Sequence, residues 1–224
     1  MENKKPGWVA LWKATLQHKT FKIELIVSIV AVYLTLHFFS IFLLFAEARD
    51  GIVMFDPVLN LFSAVDLSIP IFFLTYVILL AGVIALTFHP RCFVIAIQSY
   101  TLMVLFRMVA IYLTPIEAPA GIIILQDPFF VLGTGKVILK DLFFSGHTAT
   151  LFLLFLTAQS RKVKIFFLVC TVLVGLFVML QKVHYSVDVF IAPFMAFCSF
   201  KIVMYFHKSQ YKCKQYKVIC KEDE

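Results

Sequence analysis

Charge is scarce in this chain: Asp, Glu, Lys and Arg make up 15% of its 224 residues, while 62% are hydrophobic. No stretch is polar enough to stand as a separate soluble domain, so a single domain is expected. Acidic residues are the rarer sign, 13 against 20 Lys and Arg, but the resulting formal charge of +7 does not point to nucleic acid. The basic residues fall in short segments between apolar runs, as cytoplasmic loops do. There are only five cysteines. Cys92, Cys170 and Cys198 fall in apolar runs, and Cys213 and Cys220 in a basic tail, so no disulfide framework is implied. A compact His/Cys/Asp cluster of the zinc kind is missing, and neither a metal nor a cofactor is expected. No internal repeat or low-complexity segment stands out. No cleavable signal peptide is expected either, because the polar, basic part runs to Lys22 and the apolar run after it is too long for an h-region.

What the chain does contain is a succession of long apolar runs, and an all-α multi-span membrane protein is the class that fits. Six transmembrane helices are expected, at about 23–45, 68–88, 92–113, 145–158, 165–180 and 185–206. The fourth looks short unless the apolar residues before Ser145 lengthen it. Residues 1–22, with Trp8, Trp12, Lys13, Lys19 and Lys22, read as a basic interfacial segment. Residues 23–206 form the membrane domain, and 207–224 a basic cytoplasmic tail with Lys208, Lys212, Lys214, Lys217 and Lys221. The connection 47–67 carries Glu47, Asp50, Asp56 and Asp66 against Arg49. The longest connection, 114–144, holds Pro115, Pro119, Pro128 and a Gly-Thr-Gly turn at 133–135. The segments at 1–22, 89–91, 161–164 and the tail are basic. The positive-inside rule therefore puts both termini in the cytoplasm and the starts of the fourth and sixth spans at the non-cytoplasmic face.

Two polar stretches sit at those starts. One is Lys140 to Thr148, KDLFFSGHT; the other is His184 to Asp188, HYSVD. Ionisable groups in such places are costly and mark functional sites. On a helix His184 and Asp188, four apart, share a face. The carboxylate can accept one imidazole N–H and leave the other nitrogen as a nucleophile or base. His147 would be the partner that donates a proton to a leaving alkoxide. Ser145 and Gly146 open a helix whose free N–H groups and dipole favour an anion such as phosphate. Arg107, near the outer end of the third span, could neutralise that phosphate. A lone interfacial histidine is more often a snorkelling surface residue. Here two histidines, an aspartate and an arginine are expected on one face, and that combination suits phosphoryl transfer.

Phe144-Ser145-Gly146-His147-Thr148 together with His184-Tyr185-Ser186-Val187-Asp188-Val189 resembles the sphingomyelin synthase branch of the phosphatidic acid phosphatase type 2 superfamily. That branch carries FSGHT-like and HYT-x-DV-like stretches in six-span proteins. Arg107 to Pro115, RMVAIYLTP, is similar to its arginine-tyrosine-proline stretch. The resemblance covers roughly 107–206. It implies that His184 forms a phosphohistidine, that Asp188 orients it, and that His147 protonates the leaving diacylglycerol and then deprotonates an incoming hydroxyl. It also implies Asp141 as a candidate to orient His147 or hold a cationic head group, with Glu117 a further acidic candidate. Lys140 departs from the branch's glycine. Phe144 stands where the phosphatase motif has proline, and that motif's lysine and arginine-proline pair is absent.

The function expected is transfer of a phospho-head-group from a glycerophospholipid to a lipid hydroxyl such as ceramide. The alternatives are a lipid phosphate phosphatase or phospholipase C-type hydrolase with water as acceptor, and a non-catalytic lipid-binding or scaffold protein. Partners are membrane lipids and the bilayer. A bacterial inner membrane and a Golgi or plasma membrane both suit the sequence, which names no oligomeric state. An aromatic and acidic pocket would suit a choline head group, with Tyr112 and Tyr185 available for it.

Overall fold

The computed structural model describes residues 7–127, 131 and 135–210, without the side chains of 208–210. The first six residues, Pro128, most of the turn at 133–135, and the tail with Cys213, Cys220 and its lysines lie outside the described residues. Among the described residues the chain is helical, and its one β-type pairing is an isolated bridge between Ile52 and Ile116. Seven helices follow one another: α1 (Trp8–Leu16), α2 (Lys19–Glu47), α3 (Ser68–Thr87), α4 (Pro90–Leu113), α5 (Gly146–Thr157), α6 (Arg161–Leu180) and α7 (Ser186–Gln210). Five of them, α2, α3, α4, α6 and α7, are long and apolar enough to cross a membrane. Together they suggest a multi-pass membrane protein.

The fourth expected span differs. α5 has 12 residues, about 18 Å of helix against a hydrocarbon core of roughly 30 Å. The apolar residues before Ser145 do not extend it. Phe143 takes a φ of 94°, a backbone state that breaks a helix and is uncommon for a bulky side chain. α5 is instead a central short helix that packs against α3, α4, α6 and α7. Small residues allow the approach. Ala149, Ala192 and Ala196 are fully buried where α5 meets α7, as helix contacts in membranes favour. A Cβ on Gly82 of α3 would come within 2.6 Å of Leu154 on α5.

Two polar layers close the ends of the bundle. At one end Trp8 and Trp12 of α1 both donate indole N–H bonds to the Thr87 carbonyl, the last residue of α3. α1 thus ties off an orphan helix-end acceptor. Nearby, Gln98 of α4 bonds Glu24 and Ser28 of α2 and His207 of α7. At the other end the loops 48–67 and 114–145 are laced together. The Ile52 N–H donates to the Pro115 carbonyl, and the Ile52 carbonyl accepts the Glu117 N–H. Glu47 accepts the N–H groups of Leu139 and Lys140. Asp56 accepts the N–H groups of Ser186, Val58 and Leu59, fixing the start of α7.

Gln181, fully buried after α6, joins both loops to the bundle. Its Oε1 accepts from the Leu67 N–H at 3.0 Å, and its Nε2 donates to Ser68 Oγ at 2.8 Å and to the Ile123 carbonyl at 3.2 Å. Replacing Gln181 with alanine leaves these groups unpaired. It should destabilise the protein by about 2 kcal/mol, read as a lower melting temperature of the detergent-solubilised protein.

Candidate active site

The C-terminal end of α4 and the N-terminal ends of α5 and α7 meet under the laced loops. The contact is built from helix caps. Ser145 is the N-cap of α5, and its hydroxyl accepts from the Thr148 N–H. Asp188, in the first turn of α7, reaches back to accept the Tyr185 N–H at 3.2 Å, the reciprocal half of a capping box. The two starts are joined directly, since the Ser145 N–H donates to the Asp188 carbonyl at 3.1 Å.

The same reach-back sets the histidine. His184 is not on a helix: it lies in the turn before α7. The four-residue spacing still brings the pair together, with His184 Nδ1 3.3 Å from Asp188 Oδ2. The expected geometry, two residues on one helix face, is replaced by a carboxylate at a helix N-terminus holding an imidazole in the preceding turn. His184 is 3% exposed and Asp188 fully buried, with Asp188 Oδ1 unpartnered among the described residues. Burial holds the His184 pKa below its ordinary value of 6.5, against the upward pull of Asp188 and with the help of nearby Arg107 and His147.

Arg107 comes up from α4. Its Nε donates to Asp141 Oδ1 at 2.8 Å and its Nη2 to the Asp141 carbonyl. Its guanidinium lies over the Phe144 ring, 5.2 Å from the centroid. Its Nη1 is buried without a partner among the described residues. Gly146 is where Arg107 crosses the start of α5, and a Cβ there would lie 2.6 Å from Nη1.

A cavity of about 50 Å3 opens beside these caps, room for a few waters. His147, His184, Asp141 and Asp127 line it, with apolar walls from Leu125, Leu142, Val183 and others. Asp188 and Arg107 stand behind the wall, behind His184 and Asp141 respectively. Ser145 and Gly146 form the helix start and are not part of the lining.

The other sequence candidates lie apart from the cavity. The Glu117 carboxylate takes the Lys140 ammonium at 2.7 Å and the Gly51 N–H at 2.9 Å. The Lys140 hydrogen bond holds its pKa below the usual value. Lys140 also donates to the Arg49 carbonyl, so the residue that departs from the glycine of the resembled branch staples three loop segments. Tyr185 is buried, its hydroxyl donating to the Glu117 carbonyl and accepting from the Met54 N–H. Tyr112 is exposed, and Arg49 lies over its ring. The aromatic pocket expected from Tyr112 and Tyr185 therefore does not form, because one phenol braces the loops and the other ring faces a loop arginine. Asp141 does not orient His147, since its contact is Arg107.

The carboxylate beside His147 is Asp127, with Oδ2 3.6 Å from His147 Nε2. Asp127 belongs to neither of the two polar motifs. The available signal was an isolated acid inside the apolar run of residues 121–133, the same signal that singled out Asp188. Among the described residues no group of three or more His, Cys, Asp or Glu is arranged to hold a metal ion. Cys92, Cys170 and Cys198 form no disulfide among the described residues.

No curated protein and no solved structure matches this chain. Residues 140–208 match the family model described as PAP2 superfamily C-terminal, a segment that starts at Lys140 and spans both histidines and Asp188. That match supports membership of the phosphatidic acid phosphatase type 2 superfamily, and with it lipid chemistry of the phosphatase or phosphotransferase type.

Proposed function

We propose that this protein is a lipid head-group phosphotransferase that works through a phosphohistidine on His184. The observation that carries the reading is that His147 and an Asp188-braced His184 open on one cavity at the joined ends of three helices. His184 Nε2, left free by the Asp188 contact at Nδ1, attacks the donor phosphorus. The bond to the diacylglycerol oxygen breaks, and that oxygen takes the proton of His147. The head group is then held as a phosphoramidate on His184. An acceptor hydroxyl gives its proton to His147 and attacks the same phosphorus, and His184 leaves unchanged. Arg107, beside the N-terminus of α5 and behind Asp141, adds positive charge behind the wall that a phosphoryl group would face.

Two further features support the reading. The mostly apolar cavity wall suits a lipid hydroxyl over water as acceptor. The basic residues Lys13, Lys19, Lys22, Arg91, Arg161, Lys162 and Lys164 all flank the helix ends opposite the site, which favours a site on the non-cytoplasmic face with both termini in the cytoplasm. In that topology the short α5, with the loop leading into it, counts as the fourth of six crossings.

The assay gives purified protein a mixed glycerophospholipid fraction labelled with radioactive phosphorus, together with ceramide, in detergent micelles. Label in a new ceramide-linked lipid is expected. Water-soluble phosphate or phospho-head-group without a lipid product would replace transfer by hydrolysis. One substitution probes the packing of the site: with Gly146→Ala, the added Cβ pushes the guanidinium from its Asp141 contacts. Turnover should fall on the order of a hundredfold, as small misplacements of a positioning group do, and the melting temperature should fall with it, because the nearly dry Arg107–Asp141 pair is loosened.

A further inference from the structure

We propose that Asp127, held by Tyr76, is the positioning residue that stabilises the protonated form of His147. This rests on the reading of His147 as the proton donor and acceptor of the reaction. Asp127 divides its two carboxylate oxygens between different partners. Oδ2 faces His147 Nε2 at 3.6 Å, an ion-pair distance longer than a hydrogen bond, with the two side chains 13% and 15% exposed. Oδ1 accepts the hydroxyl of Tyr76.

Tyr76 is brought there by an irregularity of α3. Residues Phe73–Val77 form a π-helical turn, which inserts one extra residue into the helix and turns the side chains beyond it. Such turns cost helix stability and recur at functional sites. The Tyr76 ring also stacks on Phe72, with centroids 5.9 Å apart and planes 13° apart, so the hydroxyl is held on a rigid base.

A solvated loop carboxylate needs neither partner. Asp127 instead lines the cavity among Ile122, Leu125 and Val131, in a wall where an ionised group strengthens any charge opposite it. A carboxylate on one nitrogen of an imidazole favours the imidazolium and leaves the other nitrogen to deliver the proton. Other titratable and charged groups stand around His147. Asp141 lines the same cavity, and His184 faces it from the turn before α7. Arg107 on α4 stands behind Asp141, and Asp188 on α7 behind His184. Of these carboxylates, Asp127 is the one in contact with the His147 ring.

The test is steady-state transfer of label from the radioactive glycerophospholipid fraction to ceramide, across pH, for the full chain in micelles. Asp127→Asn should lower kcat about tenfold to a hundredfold, part of what positioned proton transfer supplies. It should also move the basic limb of the profile toward acid, with KM little changed. Asp127→Glu should restore part of both. Tyr76→Phe, which loses only a hydroxyl, should show the same shift in smaller degree, and it carries the test if Asp127→Asn fails to fold. In a His147→Ala background, Asp127→Asn should cost nothing further. An unshifted basic limb in Asp127→Asn or Tyr76→Phe, full additivity with His147→Ala, or faster turnover in Asp127→Asn would overturn the proposal. Faster turnover would mean that the carboxylate competes with substrate for His147. If His147→Ala itself leaves turnover unchanged, the assignment of His147 fails with it. If His147→Ala is inactive and the limb stays put, only the role of Asp127 falls.

Discussion

Replacing His184 with alanine should abolish head-group transfer, by a factor on the order of 10^4 or more, as loss of a covalent nucleophile does. The protein should still fold, because His184 lies in the turn before α7 and lines the cavity. Asp188→Asn should approach the same loss, because an amide no longer selects the tautomer that frees Nε2. The pH profile carries a signature of its own. Burial holds the His184 pKa below 6.5, so the neutral, nucleophilic form persists below that pH. The acid limb of kcat/KM should therefore fall below pH 6.5. Stability follows the same sign. Between the lowered pKa and 6.5 the unfolded chain binds the proton that folded His184 refuses, so this group's contribution is full above 6.5 and is lost as pH falls through its folded pKa. Kinetics of the wild type and His184→Ala across pH, with melting curves alongside, check each part.

The second large effect is expected at Arg107. Its pairing with Asp141 is nearly dry, with the arginine side chain 6% exposed and the aspartate 19%. Arg107→Ala strands the Asp141 carboxylate beside the caps of α5 and α7. An uncompensated buried charge costs about 3–5 kcal/mol, and the partial exposure of Asp141 argues for the lower end, about 3 kcal/mol. Arg107→Lys should rescue little, since a single ammonium cannot supply both the Nε and Nη2 bonds. Adding Asp141→Asn to Arg107→Ala should recover much of the stability and none of the activity. Thermal unfolding in detergent, read beside turnover, separates the two roles. Recovery of both by the double substitution would reduce Arg107 to a purely structural clamp.

Hydropathy made the long helices legible, because a run of twenty apolar residues has few other fates. It located α2, α3, α4, α6 and α7 within a few residues. It was silent on which faces meet, since a helix that is apolar all round carries no stripe to read. The short α5 was visible only as an anomaly; its cause, the backbone turn at Phe143, has no marker in residue type. His184, Asp188, His147 and Arg107 were legible because each is a polar group at the edge of an apolar run. Tyr112, Tyr185 and Glu117 were drawn in by proximity in sequence. Their partners, Arg49, Met54 and Lys140, lie far off along the chain and could not be inferred from local pattern. Asp127 carried a local mark, an acid inside an apolar run, but its worth comes from Tyr76 and His147, 51 residues before it and 20 after.

The central claim is the covalent intermediate. The direct measurement mixes the protein with the radioactively labelled glycerophospholipid fraction, without acceptor, and stops the reaction under alkaline conditions that preserve phosphohistidine. Peptide mass spectrometry then locates the label. A phospho-head-group on His184, absent in His184→Ala and discharged on adding ceramide, is the expected result. Turnover with no covalent label, or label on another residue, would contradict the account.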